Sequence, residues 1–112
     1  MDLLIIGWGK GGKTLAASYA AAGHRVAVAE QFRALHGGSC INIACVPTKA
    51  LLHSADNGSG ADWFAESRTR RDSLIDTLNH ANHEMMAGQD TAMILDGRAR
   101  FTGPHEVAVT AG

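Results

Sequence analysis

Cys40 and Cys45 are the two cysteines of a 112-residue chain, five positions apart in the segment GGSCINIACVPTK, Gly37–Lys49. A close thiol pair can cycle between dithiol and disulfide, or it can ligate a soft metal. In an ideal helix, residues i and i+5 have Cα atoms on the order of 8–9 Å apart, from the standard rise and radius. A disulfide spans roughly 4.4–6.8 Å. Cys40 is therefore expected outside the regular helix or at a distorted first turn, with Gly37 and Gly38 as a flexible lead-in. Cys45 is expected at a helix N-terminus, with Pro47 in the first turn, where its missing N–H is harmless. The helix dipole there favours a thiolate and lowers its pKa. Lys49, four residues on, shares a face with Cys45 and can hold a thiolate or an anionic cofactor edge. His53, one turn further, is read as packed or exposed. The spacing C-x4-C is not a common zinc knuckle and has no second cysteine pair beside it, so no metal site is assigned, even with His36 or His53 as added ligands.

A second pattern, Gly7-Trp8-Gly9-Lys10-Gly11-Gly12, follows the apolar run Leu3–Ile6 and precedes an alanine-rich stretch, Lys13–Ala22, that stops at Gly23. A strand, a glycine turn, a helix and a second strand at Arg25–Ala29 make one βαβ unit. In that context Gly7 permits the tight turn, Gly9 lets a pyrophosphate approach the backbone, and Gly12 lets helix and strand pack closely. The helix N-terminus offers free N–H groups to phosphate. Glu30 lies 18 residues past Gly12, where its carboxylate can accept hydrogen bonds from a ribose 2′-hydroxyl and repel a 2′-phosphate. Lys10 and Lys13 are read as solvated surface lysines, with phosphate attraction as the alternative, and Trp8 as a packing residue.

The elements around these residues follow from the same pattern. Cys45–Ser54 reads as a helix, Asn57–Gly60 as a break, and Asp62–Ala87 as a long helix with Phe64, Leu74, Ile75, Leu78 and Met85 available for a buried stripe. Ala92–Leu95 reads as a strand, and Arg98–Phe101 with Glu106–Thr110 as a hairpin turning at Gly103-Pro104-His105. Apolar residues make up 46% and the net charge is −1, which points away from nucleic-acid and membrane partners. The basic cluster Arg68, Arg70 and Arg71 and the group His80, His83 and Glu84 are read as solvated helix faces. Met1 leads directly into a strand-like run with no secretory leader, so a cytoplasmic chain is expected, where a close cysteine pair is more often catalytic or metal-binding than a structural staple.

Taken together, these residues resemble the class I flavoprotein pyridine nucleotide–disulfide oxidoreductases, the family of dihydrolipoamide dehydrogenase, glutathione reductase and mercuric reductase. Gly37, Gly38, Cys40, Asn42, Cys45, Pro47 and Lys49 match its motif G-G-T-C-x-N-x-G-C-x-P-x-K. The stretches IIGWGKGGKTLA and CINIACVPTK are most similar to the mercuric-reductase-like branch linked to reactive chlorine resistance and metal-ion reduction. The resemblance implies an α/β, Rossmann-like FAD-binding domain of three layers, with a parallel sheet and a β-hairpin, of which residues 1–112 form the N-terminal part. It implies FAD lined by Gly7, Gly9, Gly12, Glu30, Gly38, Ser39 and the backbone of Ala99, with Lys49 near the flavin N5. It implies catalytic roles for Cys45 as the thiol facing the flavin and Cys40 as the interchange thiol. Electrons would run from NAD(P)H through flavin to the Cys40–Cys45 disulfide and on to a small-molecule disulfide or metal ion. Family members are homodimers with an NAD(P)H domain and a dimerisation domain, so the chain by itself is expected to bind FAD weakly and to lack steady-state NAD(P)H turnover. Ser39 keeps the hydroxyl of the usual threonine, whereas Ala44 replaces a glycine and adds a methyl group next to the thiols. Two other classes stay open: a truncated, non-catalytic nucleotide-binding module, and a thiol metal carrier.

Overall fold

The structure is a computed structural model and describes residues 1–111. Three parallel strands carry the site: β1 (Leu3–Ile6), β2 (Val26–Glu30) and β3 (Ala92–Asp96), in spatial order β1-β2-β3. Leu3 pairs with Val26 and Val26 with Ala92, so β2 is central and all five of its residues are buried. A strand covered on both faces reads as a continuous apolar run, and VAVAE is one except for its last residue. β1 pairs with β2 alone among the described residues.

Helix α1 (Lys10–Ala21) crosses between β1 and β2. It starts three residues earlier than expected, directly after Gly9, so Gly11 and Gly12 lie within its first turn. A Cβ on Gly12 would stand 2.6 Å from Ile5 Cγ2, so the missing side chain is what lets α1 lie on β1. Ala16 and Ala20 face the sheet, and Trp8, Val26, Val28 and Met86 complete the core.

After β2 the chain makes a short 3-10 turn, Arg33–Leu35, then the four-residue α2 (Ser39–Asn42), α3 (Cys45–Asn57) and α4 (Trp63–Ala87). α4 packs on α3, α2 and β3. The expected apolar stripe of α4 is not what it buries. Phe64, Leu74 and Met85 are exposed, Ile75 and Leu78 are half-buried, and the buried positions are Ser67 and Met86. A 25-residue helix is about 37 Å long, far longer than the five-residue strands beneath it. Only its C-terminal end reaches the sheet. β4 (Arg98–Gly103) and β5 (Glu106–Thr110) form the expected hairpin, with a bulge between Phe101 and Gly103. No helix among the described residues is long and apolar enough to cross a membrane.

Candidate functional site

A cavity of about 490 Å³ opens at the C-terminal ends of β1 and β2, where ligands bind in open parallel sheets. Its wall is made by Gly7 and Gly9 of the turn, Glu30 at the end of β2, Gly38 just before α2 and Ser39 at its start, and Ala99 of β4. Six residues singled out by sequence thus meet in one place. Gly12 stands behind the wall as a packing residue. Ile6, Trp8 and Ala29 also line it, and Gln31, Leu35, Gly97 and Arg98 join them without a sequence signal of their own, except that Gly97 belongs to the Gly97-x-Ala99-x-Phe101 pattern.

The geometry of the turn explains its residue types. Gly7 has φ +87°, a conformation that side chains rarely adopt. A Cβ on Gly9 would meet nothing within 4 Å, so the backbone is open there. No side chain caps α1, which leaves its first-turn N–H groups available to an anion. Glu30 is buried, and its carboxylate accepts the N–H of Trp8 at 3.0 Å and that of Phe32 at 3.2 Å. It therefore braces the turn while it faces the cavity, and its remaining lone pairs can still receive a hydroxyl.

Trp8 is buried, as a packing residue should be, and its indole stacks on His36 with ring centroids 4.4 Å apart. His83 of α4 stacks on the other imidazole at 5.3 Å, so it is not part of a solvated face; His80 is exposed. His36 is buried, and its Nε2 lies 3.0 Å from an Asp96 oxygen; because a carboxylate can only accept, Nε2 carries the proton. Asp96 also accepts from Arg33 Nε at 2.7 Å, which holds its carboxyl below the usual range. Burial holds the His36 pKa below its ordinary value, against the opposing pull of Asp96; His83 and Arg33 push the same way as burial. A histidine whose folded pKa is depressed binds its proton less readily in the native state. Its contribution to stability is complete above the unfolded value near 6.5 and is lost as pH falls below it. The melting temperature is expected to drop between pH 7.5 and 5.5, with a smaller drop in His36→Gln. Equal slopes for the two proteins would contradict this.

Lys13 is not a solvated lysine. It is half-buried, and Nζ donates to the Gly37 carbonyl at 3.0 Å and to Asn82 Oδ1 at 2.7 Å. Arg71 likewise departs from the solvated reading, since its side chain is only 24% exposed. With Lys49, Arg70, His53, Val46 and Leu74 it lines a separate groove of about 450 Å³ between α3 and α4. Lys49 therefore stands apart from the cavity of the glycine turn.

The two thiols sit on either side of a helix break. Cys40 lies in α2 and Cys45 is the first residue of α3, with Ile43 and Ala44 between them in non-helical conformations. Ala44 has φ −122° and ψ −100°, outside both the helical and the extended regions, and it is exposed. Asn42 holds α2 in place: Nδ2 donates to the carbonyls of His36 and Gly38 at 2.9 and 2.8 Å. Both cysteines are free thiols, Cys45 exposed and Cys40 half-buried. The expected lowering of the Cys45 pKa is reversed. Hydrogen bonding to Cys40 raises it most, and burial and the Cys40 charge add to that; its own backbone N–H and Lys49 pull the other way and lose.

Residues 1–111 match the family described as pyridine nucleotide-disulphide oxidoreductase. The chain belongs to that family. Over 106 residues it is 41% identical to the probable pyridine nucleotide-disulfide oxidoreductase RclA of Escherichia coli K12, an alignment covering 95% of this chain and 23% of that protein. It is 34% identical to the dihydrolipoyl dehydrogenase of Thermus scotoductus, over 96% of this chain and 26% of the relative. Among solved structures, the HOCl-induced flavoprotein disulfide reductase RclA from Escherichia coli matches with a TM-score of 0.91 and 39% identity, over 97% of this chain and 24% of that one. A Cu(II) complex of the same reductase matches with a TM-score of 0.90. The chain spans about a quarter of the length of the relatives it matches. Its fold is the Rossmann-like α/β arrangement of this flavin-dependent oxidoreductase family.

Proposed function

We propose that residues 1–112 are the FAD-binding portion of a flavin-dependent NAD(P)H oxidoreductase that passes electrons through a Cys40–Cys45 disulfide to a small-molecule disulfide or a metal ion. The observation that carries this reading is covalent adjacency: Ser39 lines the cavity, and the next residue is Cys40. A redox ligand in the cavity and the dithiol are then parts of one site.

The residues suit a dinucleotide. The open backbone at Gly9 and the uncapped start of α1 suit a pyrophosphate, the Glu30 carboxylate suits a ribose, and the Ala99 backbone suits the adenine end. Gly38 and Ser39 would hold the chain that leads to the reactive ring, and Lys49 would stand at that ring's N5. When bound, FAD supplies two-electron exchange between a nicotinamide and sulfur. The protein's own step is thiol chemistry. As the disulfide closes, two S–H bonds break, one S–S bond forms, and two electrons and two protons leave. Cys45 would be the sulfur next to the flavin and Cys40 the one that meets the acceptor. We further propose that the protein acts as a homodimer in the cytoplasm.

Dithionite titration of protein reconstituted with FAD tests the reading. A long-wavelength absorbance band from a thiolate–flavin pair is expected at intermediate reduction. Stoichiometric flavin binding without such a band would favour a non-catalytic nucleotide module instead.

A further inference from the structure

Lys13 has an unusual position for a lysine that its sequence context marks as a surface residue. Its charged amine is drawn in to two neutral acceptors, the Gly37 carbonyl and Asn82 Oδ1. Leaving water for neutral partners is unfavourable for an ammonium unless the bonds are well formed, and ordering a long side chain costs entropy. Lys13 belongs to α1, whose N-terminus forms the glycine turn. Asn82 belongs to α4, where its Nδ2 is tied back to the Leu78 carbonyl at 2.8 Å. Gly37 belongs to the loop that runs through Gly38 and Ser39 into Cys40.

The backbone of Gly37 and Gly38 has three polar fixings. Gly38 N–H donates to the Leu35 carbonyl at 2.8 Å, and the Gly38 carbonyl accepts from Asn42 at 2.8 Å. Both of those lie within the loop and α2. The third, from Lys13, is the one that ties this peptide to α1. Gly37 and Gly38 have φ +92° and +94°, a permissive backbone that does not hold itself. α3, which carries Cys45, packs on α4, and α4 is joined to Lys13 through Asn82. One ammonium thus references the Cys40 side of the pair to the Cys45 side and to the nucleotide turn.

We infer that Lys13 is a positioning residue for the dithiol, holding the Cys40 loop, through the Gly37 carbonyl, at the distance from Cys45 that favours disulfide closure. This rests on reading the pair as redox-active. Without the tether, Cys40 samples a wider volume, its effective concentration at Cys45 falls, and the disulfide becomes easier to reduce.

The test is the redox equilibrium of the full chain in buffers of reduced and oxidised glutathione, read as the fraction of Cys40–Cys45 disulfide, alongside thermal unfolding. Glutathione disulfide takes up the two electrons and two protons that the thiols release. Lys13→Met keeps the stem and loses the donors. It is expected to lower the equilibrium constant for disulfide formation about tenfold, which is about 30 mV for a two-electron couple. Lys13→Arg can reach both acceptors and is expected to restore the constant to within about threefold. Asn82→Ala removes one of the two acceptors without touching α1, and a change of about threefold in the same direction is expected. A folded Lys13→Met or Asn82→Ala protein with the wild-type constant would overturn the assignment, even if its melting temperature were lowered, because Lys13 would then serve stability alone. A wild-type protein that forms no such disulfide at any glutathione ratio would overturn the dithiol reading, and this assignment with it.

Discussion

With flavin loaded and dithionite as reductant, Cys45→Ser is expected to show no long-wavelength band and to be reoxidised by a small disulfide more than about 10³-fold more slowly than wild type. Serine keeps the shape of the side chain and the start of α3, but its hydroxyl does not ionise at neutral pH and cannot form the disulfide. Flavin binding should persist, because Cys45 lies outside the lining of the cavity. The companion Cys40→Ser separates the roles of the two sulfurs. The largest cause of the raised Cys45 pKa is its hydrogen bond with Cys40. Removing that sulfur is expected to shift the pH profile of Cys45 alkylation by iodoacetamide to lower pH. The Cys45 backbone N–H and Lys49 are then the lowering influences that remain. An unchanged profile would mean that the two sulfurs do not share a proton, and a band that survives in Cys45→Ser would remove this thiol from the flavin.

Gly38→Ala is expected to lower stability by on the order of 3 kcal/mol or more, a fall of more than about 10 °C in melting temperature for a domain of this size. Two costs add. Gly38 has φ +94° and ψ 170°, a region in which essentially only glycine is comfortable. The new Cβ would stand 2.9 Å from the Trp8 carbonyl oxygen and 3.1 Å from Gly9 Cα. Those are backbone atoms of the glycine turn and cannot rotate away. Relief requires moving the loop off the turn, which opens the cavity wall. Flavin affinity is therefore expected to fall together with stability. Gly11→Ala is the matched control. Its Cβ would meet nothing within 4 Å in the first turn of α1, and a change of no more than about 1 kcal/mol is expected there. Thermal unfolding of the two variants beside wild type decides the matter: similar melting temperatures would refute the close apposition of loop and turn.

The contrast between these two glycines shows where reading the sequence succeeds. Short-range requirements leave a local mark. A turn before a helix needs glycine at Gly7, a strand buried on both faces needs an apolar run at Val26–Ala29, and a hairpin needs the break at Gly103–His105; each lies where its pattern implies. The matches of Gly37, Gly38, Cys40, Asn42, Cys45, Pro47 and Lys49 to one motif led to the family, and the cavity gathers Gly7, Gly9, Glu30, Gly38, Ser39 and Ala99. What sequence misjudged or left unread were side chains whose environment comes from distant parts of the chain. Lys13 meets Asn82 across 69 positions, and His36 meets Asp96 across 60. Neither partner is visible from its neighbours in sequence. The stripe on α4 failed for a related reason: amphipathic spacing marks a face, but only the sheet's extent decides how much of that face is covered.

Cys45 marks the boundary most clearly. Its place at the start of a helix, with Pro47 in the first turn and Lys49 one turn on, was written in the chain, because helix geometry depends on near neighbours. The sign of its pKa shift was not. Lys49 and the residue's own backbone N–H pull it down as local spacing says, but Cys40, across the break at Ile43 and Ala44, raises it by more. Sequence by itself determined which groups this protein has for its chemistry and which local elements carry them. Tertiary structure decided how those groups charge one another, because electrostatic interactions depend on distance through space rather than along the chain.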